Sequence, residues 1–387
     1  MATRPTFTPR LESLDDRAVP SASGRYALGA GFGGPPRVQV FDSTTGLKIA
    51  DFLAFESTFT GGVTTAMGDV NRDGIPDLIV GAGVGGGPRV RVFNGAALGP
   101  AFDPNAPGSV IADFFAFEDS QRGGVSVATG NFVTGAIGGI FSEVVVGAGP
   151  GGGPRVRIFD GQTLTNLGQT FTGNEPGDVV ADFFAFESTF RGGVNVASNP
   201  IQAGLSITAD LAVTPGPGGA PRVRLLSGVA IARELQTFTS FGPNDVIADW
   251  FAGDPSVRAG LFVASADVAV DGQADVITGT GPGVPGVVTV FNGTVIRNKR
   301  QSYTGLQTGD LVDTFSPLAN YANGITVGST GNIGIGAPAL LYGNGGAGFV
   351  SSAVVANYTA VVGGFVRQTL FSYTFDPTLF IGVDVSN

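Results

Sequence analysis

The chain has 387 residues, 43% of them hydrophobic, with 30 Phe, 63 Gly and 24 Pro; a large core can form, but chain breakers are dense throughout. It contains neither Cys nor His, which excludes disulfides, thiolate or imidazole metal sites and any catalytic engine built on His. A net charge of −10 with only 21 basic residues supplies no basic face for nucleic acid or an anionic membrane, and no apolar run reaches the roughly 18 residues that a membrane helix needs.

Residues 1–23 read as a leader or disordered segment, and residues 24–387 as one domain. From residue 25 the chain is written in repeats. Arg25-Tyr26-Ala27-Leu28-Gly29-Ala30-Gly31 reads as a strand ending in a Gly cluster. Pro36-Arg37-Val38-Gln39-Val40-Phe41 follows as a second strand, and Ala50-Asp51-Phe52-Leu53-Ala54-Phe55-Glu56 as a third. The unit beginning at Gly61 has four, at 63–68, 78–83, 89–93 and 111–117. They are rich in Val, Ile and Phe and bounded by Gly, Pro, Asp and Asn. The third phrase returns as Ala112-Asp113-Phe114-Phe115-Ala116-Phe117-Glu118 and as Ala181-Asp182-Phe183-Phe184-Ala185-Phe186-Glu187. It weakens to Ala248-Asp249-Trp250-Phe251-Ala252 and then to Val312-Asp313-Thr314-Phe315. The Gly cluster with its β-rich run recurs at 81–93, 147–159, 214–226 and 279–291, with a degraded copy near 343–354.

The repeat length is roughly 65 residues, longer than the roughly 40–45 of a compact four-stranded blade. The excess falls in 161–178, 228–245 and 293–310, which are equal in length and share a Thr/Tyr-rich middle. Equal length predicts ordered hairpin extensions. No stretch sustains a helical period. Consecutive apolar positions, as in Leu78-Ile79-Val80 and Val144-Val145-Val146, predict sheets covered on both faces. A lone four-stranded sheet cannot achieve that, so the units must stack or close into a ring. The tail, 380–387, reads as the first strand of a unit and the head as a second strand. The expected fold is therefore all-β: a six-bladed β-propeller of four-stranded antiparallel blades. Its last blade is closed by the N- and C-terminal strands, leaving no exposed edge. The stretch 313–373 is the most divergent unit.

The sharpest chemical motif is Asp69-Val70-Asn71-Arg72-Asp73-Gly74-Ile75-Pro76-Asp77. Oxygen side chains stand at positions 1, 3, 5 and 9, Gly stands at 6, and Ile75 offers its carbonyl at 7. That rhythm suits a short loop wrapped around calcium, a hard cation that takes six to eight oxygens at about 2.3–2.6 Å. The competing reading is a metal-free turn, which Asp, Asn and Gly also favour. A second loop, Asp267-Val268-Ala269-Val270-Asp271-Gly272-Gln273-Ala274-Asp275, keeps Asp267, Asp271 and Asp275 but has Ala at position 3, and is the weaker calcium candidate. One good site among six units reads as a structural staple.

Two other patterns tempt. Gly29-x-Gly31-x-x-Gly34, Gly81-x-Gly83-x-x-Gly86 and Gly147-x-Gly149-x-x-Gly152 match a dinucleotide fingerprint literally. That fingerprint needs a helix at once after the last Gly, whereas Pro and a β-branched run follow; these are turns. Glu56, Glu118 and Glu187 repeat, as do Arg37, Arg89, Arg155 and Arg222. A catalytic pair occurs once per protein, so recurring carboxylates and arginines read as structural ion pairs within or between blades. The Phe pairs 115/117 and 184/186 read as blade-to-blade packing.

The acidic loop between two strands, the downstream Gly-rich phrase 81–88 and the unit length together resemble FG-GAP (VCBS-type) repeats. These build β-propellers related to the integrin α-subunit head. The resemblance covers residues 24–387 and fades toward the C-terminus. It implies calcium at Asp69, Asn71, Asp73 and Asp77, and adhesion or ligand binding at a cell surface through loops on one rim. Loss of most acidic loops departs from the family pattern. Residues 10–20 are similar to the leader of exported bacterial surface proteins, although the apolar core of a secretory signal is missing. The expected function is a non-enzymatic exported or cell-surface binding, adhesion or scaffold module, with a protein or glycan ligand and no catalytic residues. The alternative is a carbohydrate-active hydrolase or lyase on the same ring. It requires one non-repeated set of acid, base and Arg, and the divergent loops 130–142 and 316–324 hold no carboxylate or Arg.

Overall fold

The computed structural model describes residues 24–132, 141–175, 177–198, 208–240, 242, 244–305, 307, 309–318, 321–330, 339–344, 351–361, 364–376 and 383–386. The leader 1–23 and most of the divergent loop 130–142 lie outside them. Strands β1 (Arg25–Ala30), β2 (Arg37–Asp42) and β3 (Lys48–Leu53) come first. Blade 1 holds β4 (Val63–Gly68), β5 (Asp77–Ala82), β6 (Arg89–Phe93) and β7 (Val110–Phe115). Blade 2 holds β8 (Val125–Gly130), β9 (Glu143–Ala148), β10 (Arg155–Phe159), helix α1 (Gly161–Leu167) and β11 (Val179–Phe184). Blade 3 holds β12 (Val194–Ser198), β13 (Leu211–Pro215), β14 (Arg222–Leu226), α2 (Gly228–Glu234) and β15 (Val246–Phe251). Blade 4 holds β16 (Leu261–Ala266), β17 (Asp275–Thr280), β18 (Val288–Phe291), α3 (Gly293–Lys299) and β19 (Leu311–Phe315). Blade 5 holds β20 (Ile325–Ser329), β21 (Leu340–Asn344), β22 (Ser351–Val361) and β23 (Gly364–Asp376), and the chain ends in β24 (Val383–Ser386).

These form six four-stranded antiparallel sheets among the described residues. Blade 6 has the order β24-β1-β2-β3, with Leu28 opposite Val385 and Ala30 opposite Val383. The split unit is thus completed by strands from both ends of the repeat region. The innermost strands touch in the circular order β24, β4, β8, β12, β16, β20 and back to β24. The ring is closed, as the sequence predicts.

The second strand of each of blades 1 and 2 is buried at every residue, because blades cover both of its faces. That burial explains the unbroken Val/Ile runs. Between blades, an aromatic on the outer strand of one blade meets aromatics of the next. Phe52 packs edge-on against Phe93 and Phe102. Phe114 meets Phe159 and Phe171 in the same way, Phe183 meets Phe238, and Trp250 meets Phe291 and Tyr303. Each such pair contributes about 0.5–1.5 kcal/mol beyond its buried area.

Two expectations are corrected. The equal-length extensions are not hairpins. Each is a seven-residue helix followed by a 3-10 turn. A register shift at the end of β10, β14 and β18 bends the chain out of its sheet. Asp160, Ser227 and Asn292 then cap the helices by accepting backbone N–H groups of Thr163, Ala230 and Val295. The extension exists to deliver Phe171, Phe238 and Tyr303 into the inter-blade clusters. The second correction concerns the Phe pairs. Phe117 and Phe186 are buried, but Phe115 and Phe184 are 44% and 41% exposed, as is Phe251 at 41%. They sit at the ends of outer strands and face solvent.

Candidate functional site

The acidic loop of blade 1 joins β4 to β5. Its shape is set by carboxylates that accept backbone N–H groups. Asp69 Oδ1 accepts from Asp73 at 3.0 Å and Oδ2 from Gly74 at 2.9 Å. Asn71 Oδ1 accepts from Asp73 at 2.9 Å, and Asp73 Oδ1 from Ile75 at 2.8 Å. Asn71 Nδ2 donates to Asp73 Oδ2 at 3.1 Å and to Asp77 Oδ1 at 3.4 Å. Gly74 turns the chain at φ 82°. This brings Asp69, Asn71, Asp73 and Asp77 into one loop, with Ile75 between the last two.

Asp77 differs from the others. It is fully buried. Its Oδ2 accepts from Val70 at 2.9 Å and Asn71 at 3.1 Å, and its Oδ1 from Gly95 at 2.8 Å. It therefore fastens the loop to the start of the turn after β6. Burial pushes its carboxyl up to about 7, against the pull of these amides. Burial also pushes Asp69 up, and the Asp73 charge adds to the shift. Among the described residues no group of three or more acidic side chains converges as a metal centre would require. The chemistry of the donor set suits a hard cation all the same: clustered oxygens repel one another, and each carboxylate oxygen that takes one N–H retains a further lone pair.

The weaker loop has the same build. Asp267 accepts from Asp271 at 3.0 Å and Gly272 at 2.9 Å, and Asp271 accepts from Gln273 at 3.1 Å. Asp275 accepts from Ala269 at 2.9 Å and Gly293 at 2.8 Å, and burial pushes it up to about 7. Only Asn71 lacks a counterpart, because Ala269 stands there.

Register shows what sequence reading missed. Leu78 pairs with Phe93, Val144 with Phe159, Leu211 with Leu226, Val276 with Phe291 and Tyr26 with Phe41. The residues just before these strand positions are Asp77, Glu143, Asp210, Asp275 and Arg25. Glu143 accepts from Phe132 N at 2.7 Å. Asp210 accepts from Gly228 N at 3.0 Å and from Arg297 Nη2 at 2.7 Å. The ninth position thus keeps an acid in blades where the other loop oxygens are gone. In blade 6 the slot holds Arg25, whose Nη1 donates to Gly95 O of blade 1 at 2.7 Å. The blade 1 loop also touches blade 2, through Ser142 N to Asp69 O and Thr165 Oγ1 to Val70 O, both at 3.0 Å.

On the opposite face, the repeated carboxylates meet the repeated arginines. Arg89 grips Asp113 with two bonds of 2.7 Å and reaches Glu56 of blade 6 at 2.9 Å. Arg155 grips Asp182 at 2.7 and 2.6 Å and reaches Glu118 of blade 1 at 2.9 Å. Arg222 grips Asp249 at 2.7 Å twice and reaches Glu187 of blade 2 at 3.2 Å. A second arginine two residues on, Arg91, Arg157 or Arg224, donates to the backbone of the preceding blade. The guanidiniums of Arg89, Arg155 and Arg222 also lie over Phe55, Phe117 and Phe186. The recurring carboxylates and arginines rivet neighbouring blades together, as the sequence predicts.

The Gly-rich phrases line the mouth of the central channel on this same face. The cavity there measures about 580 Å³, and a second one of about 40 Å³ lies deeper between the inner strands. Backbone packs against backbone at the mouth. Gly124, at φ 68°, lies so close to Ala82 and Gly83 of blade 1 that a Cβ would meet their backbone atoms at 2.4–2.5 Å.

No curated protein matches the sequence. Among solved structures, a protein of unknown function from Bacteroides caccae is 10% identical with a TM-score of 0.41, covering 93% of this chain and 98% of its own. Sqt1 from Chaetomium thermophilum is 15% identical with a TM-score of 0.42, covering 89% and 69%. A putative 6-phosphogluconolactonase from Bacteroides fragilis is 10% identical with a TM-score of 0.41, covering 92% and 83%. Residues 61–98 match the FG-GAP repeat family model. That span runs from the mouth glycine of blade 1 through the acidic loop to the turn that Asp77 fastens, so the chain is a six-bladed β-propeller whose first blade carries an FG-GAP repeat.

Proposed function

We propose that this propeller is a non-enzymatic binding, adhesion or scaffold module of an exported or cell-surface protein, with a protein or glycan as its ligand. One observation carries the non-enzymatic reading: the repeated carboxylates are bonded to arginines of their own or the next blade. A carboxylate held that way is kept ionised and is a poor general acid or base. Burial pushes Asp182 up, but bonds from Arg155 and Arg157 outweigh it and hold the group below the usual range. No helix among the described residues is long and apolar enough to cross a membrane.

Calcium belongs to the same proposal. Asp69, Asn71 and Asp73 with the Ile75 carbonyl would hold it, and Asp77 supplies further negative charge from beneath. The ion would neutralise a loop whose acids repel one another. Asp267, Asp271 and Asp275 form the weaker site, one oxygen poorer. Because the blade 1 loop bonds to Ser142 and Thr165, an ion there braces blades 1 and 2 together.

The test is a screen of the purified protein on glycan and protein arrays, in calcium and in chelator, beside an assay for release of reducing or unsaturated sugar from a polysaccharide panel. Specific binding without sugar release is the expected result. Turnover of any polysaccharide overturns the reading in favour of the hydrolase or lyase alternative.

A further inference from the structure

The channel mouth has a chemistry unlike the rest of the surface. Among the described residues its lining, from Gly31 round to Thr326, contains no charged side chain, in a protein that carries 52 charges counted as 21 basic and 31 acidic residues. The tips of the mouth loops are apolar. Phe32 is 65% exposed and Val84 44% exposed, and Pro150, Pro217 and Pro282 stand at the matching places in blades 2, 3 and 4.

The polar side chains of the lining are already committed. Thr64 Oγ1 donates to Val125 O at 2.9 Å. Asn195 Nδ2 donates to Leu261 O at 2.7 Å. Ser126 Oγ accepts from Val196 N at 3.2 Å. Each of these bonds crosses to a neighbouring blade, so much of the hydrogen-bonding capacity of these groups is spent on knitting the inner strands. A sugar demands many matched hydrogen bonds when it is buried, and this surface offers few. A charged ligand would lose its hydration with nothing to replace it. The volume of about 580 Å³ falls within the range of small-molecule sites, roughly 300–1,000 Å³. The small cavity beside the inner strands, about 40 Å³, has room for only a few waters, too little to take a ligand that fills the mouth.

We infer that the mouth is a binding site for a small, uncharged, largely apolar molecule. This site goes beyond the macromolecular ligand proposed above and does not depend on it. Its recognition is by shape and desolvation, with Phe32, Val84 and the prolines closing around the ligand and the inner valines beneath it.

The experiment titrates the full chain with Nile red, a neutral apolar dye of suitable size, following its fluorescence. Saturable 1:1 binding with blue-shifted emission is expected. Phe32→Asp and Val84→Asp place a charge at exposed tips, where folding tolerates it, and should each weaken the dye roughly tenfold or more. Phe184→Ser removes an exposed aromatic remote from the mouth and should leave affinity unchanged. Circular dichroism of each variant confirms that the fold persists. The inference is overturned by absent or non-saturable binding, by equal affinity in both Asp variants, by loss of binding in Phe184→Ser, or by displacement of the dye with a neutral oligosaccharide. None of these results alters the array screen, which reads a different ligand.

Discussion

The loops 69–77 and 267–275 share the turn and the bonds made by the acids at positions 1, 5 and 9, yet differ in donor set and at the second residue, where Val70 N–H goes to Asp77 and Val268 N–H to Ala266 O. The position-1 and position-5 acids hold the turn in both. The buried position-9 acid ties each loop to the glycine that opens the following turn or helix. What separates the loops is Asn71 against Ala269. Shape and cation binding are therefore written in different residues: the loop folds on its own amides, and the third position decides how many oxygens are left for an ion. Position 9 survives as Glu143 and Asp210 because its structural task does not need the metal.

The sharpest way to break this comparison is to remove the fastener. Asp77→Asn sets an NH2 group against backbone N–H groups in a buried place, and should cost about 3 kcal/mol. Asp275→Asn should cost a similar amount, and both losses should appear in urea melts with chelator present. A loss confined to calcium-containing buffer would make position 9 a ligand first and a fastener second.

Calcium itself gives the next largest effect. At a hundredfold excess over its dissociation constant it should stabilise the wild type by about 2.7 kcal/mol relative to chelator. Asn71→Ala, which copies the blade 4 loop, should remove most of that gain while leaving stability in chelator nearly unchanged. Ala269→Asn should create a second calcium-dependent increment. A calcium-independent melt in the wild type would remove the ion from the account.

pH separates the two faces. Burial pushes Asp51 up, but bonds from Arg37, Lys48 and Gln39 outweigh it and hold it at about 2. Asp182 moves in the same direction. Stability from Asp51 is present above its unfolded value near 4 and fades as pH falls through about 2, and that from Asp182 is likewise lost on the acid side of its unfolded value. Asp77 and Asp275 move the other way, so their contribution is full below about 4 and fades as pH rises through about 7. Denaturation profiles in chelator should show a maximum near pH 4 with a fall on either side, and Asp77→Asn should flatten the fall toward neutral pH. The smallest effect belongs to the exposed arm of the rivets. Glu118→Gln should cost under about 1 kcal/mol and become undetectable in high salt.

Much of this was legible in the sequence because the repeated phrases carry both halves of each contact. Glu118 and Arg155, or Glu187 and Arg222, recur at fixed places, so ion pairs between them and the ring could be argued before any coordinates; that Asp113 and Asp182 take the two-pronged grip of Arg89 and Arg155 was missed. The tail showed its partner through the same logic. The helices escaped because each is two turns long and buries few apolar side chains, among them Leu164, Ile231 and Ile296, too little for a period to register. Phe115 and Phe184 were misplaced because alternation does not say which face is covered at a strand's last residue. Glu143 and Asp210 were missed because the letters around them had changed while the register had not. The mouth was invisible for another reason: its character comes from what Thr64, Ser126 and Asn195 are already bonded to, which no motif records.

The pairing of Ala30 with Val383 also has a meaning in time. While the chain is being synthesised, β1 leaves the ribosome long before its inner neighbour β24, with five blades between them. For the whole of that interval the sheet of blade 6 waits with a bare flank, open to pairing with any passing strand. The finished circle is safe from that hazard, and the nascent one depends on speed, or on a chaperone, to reach it.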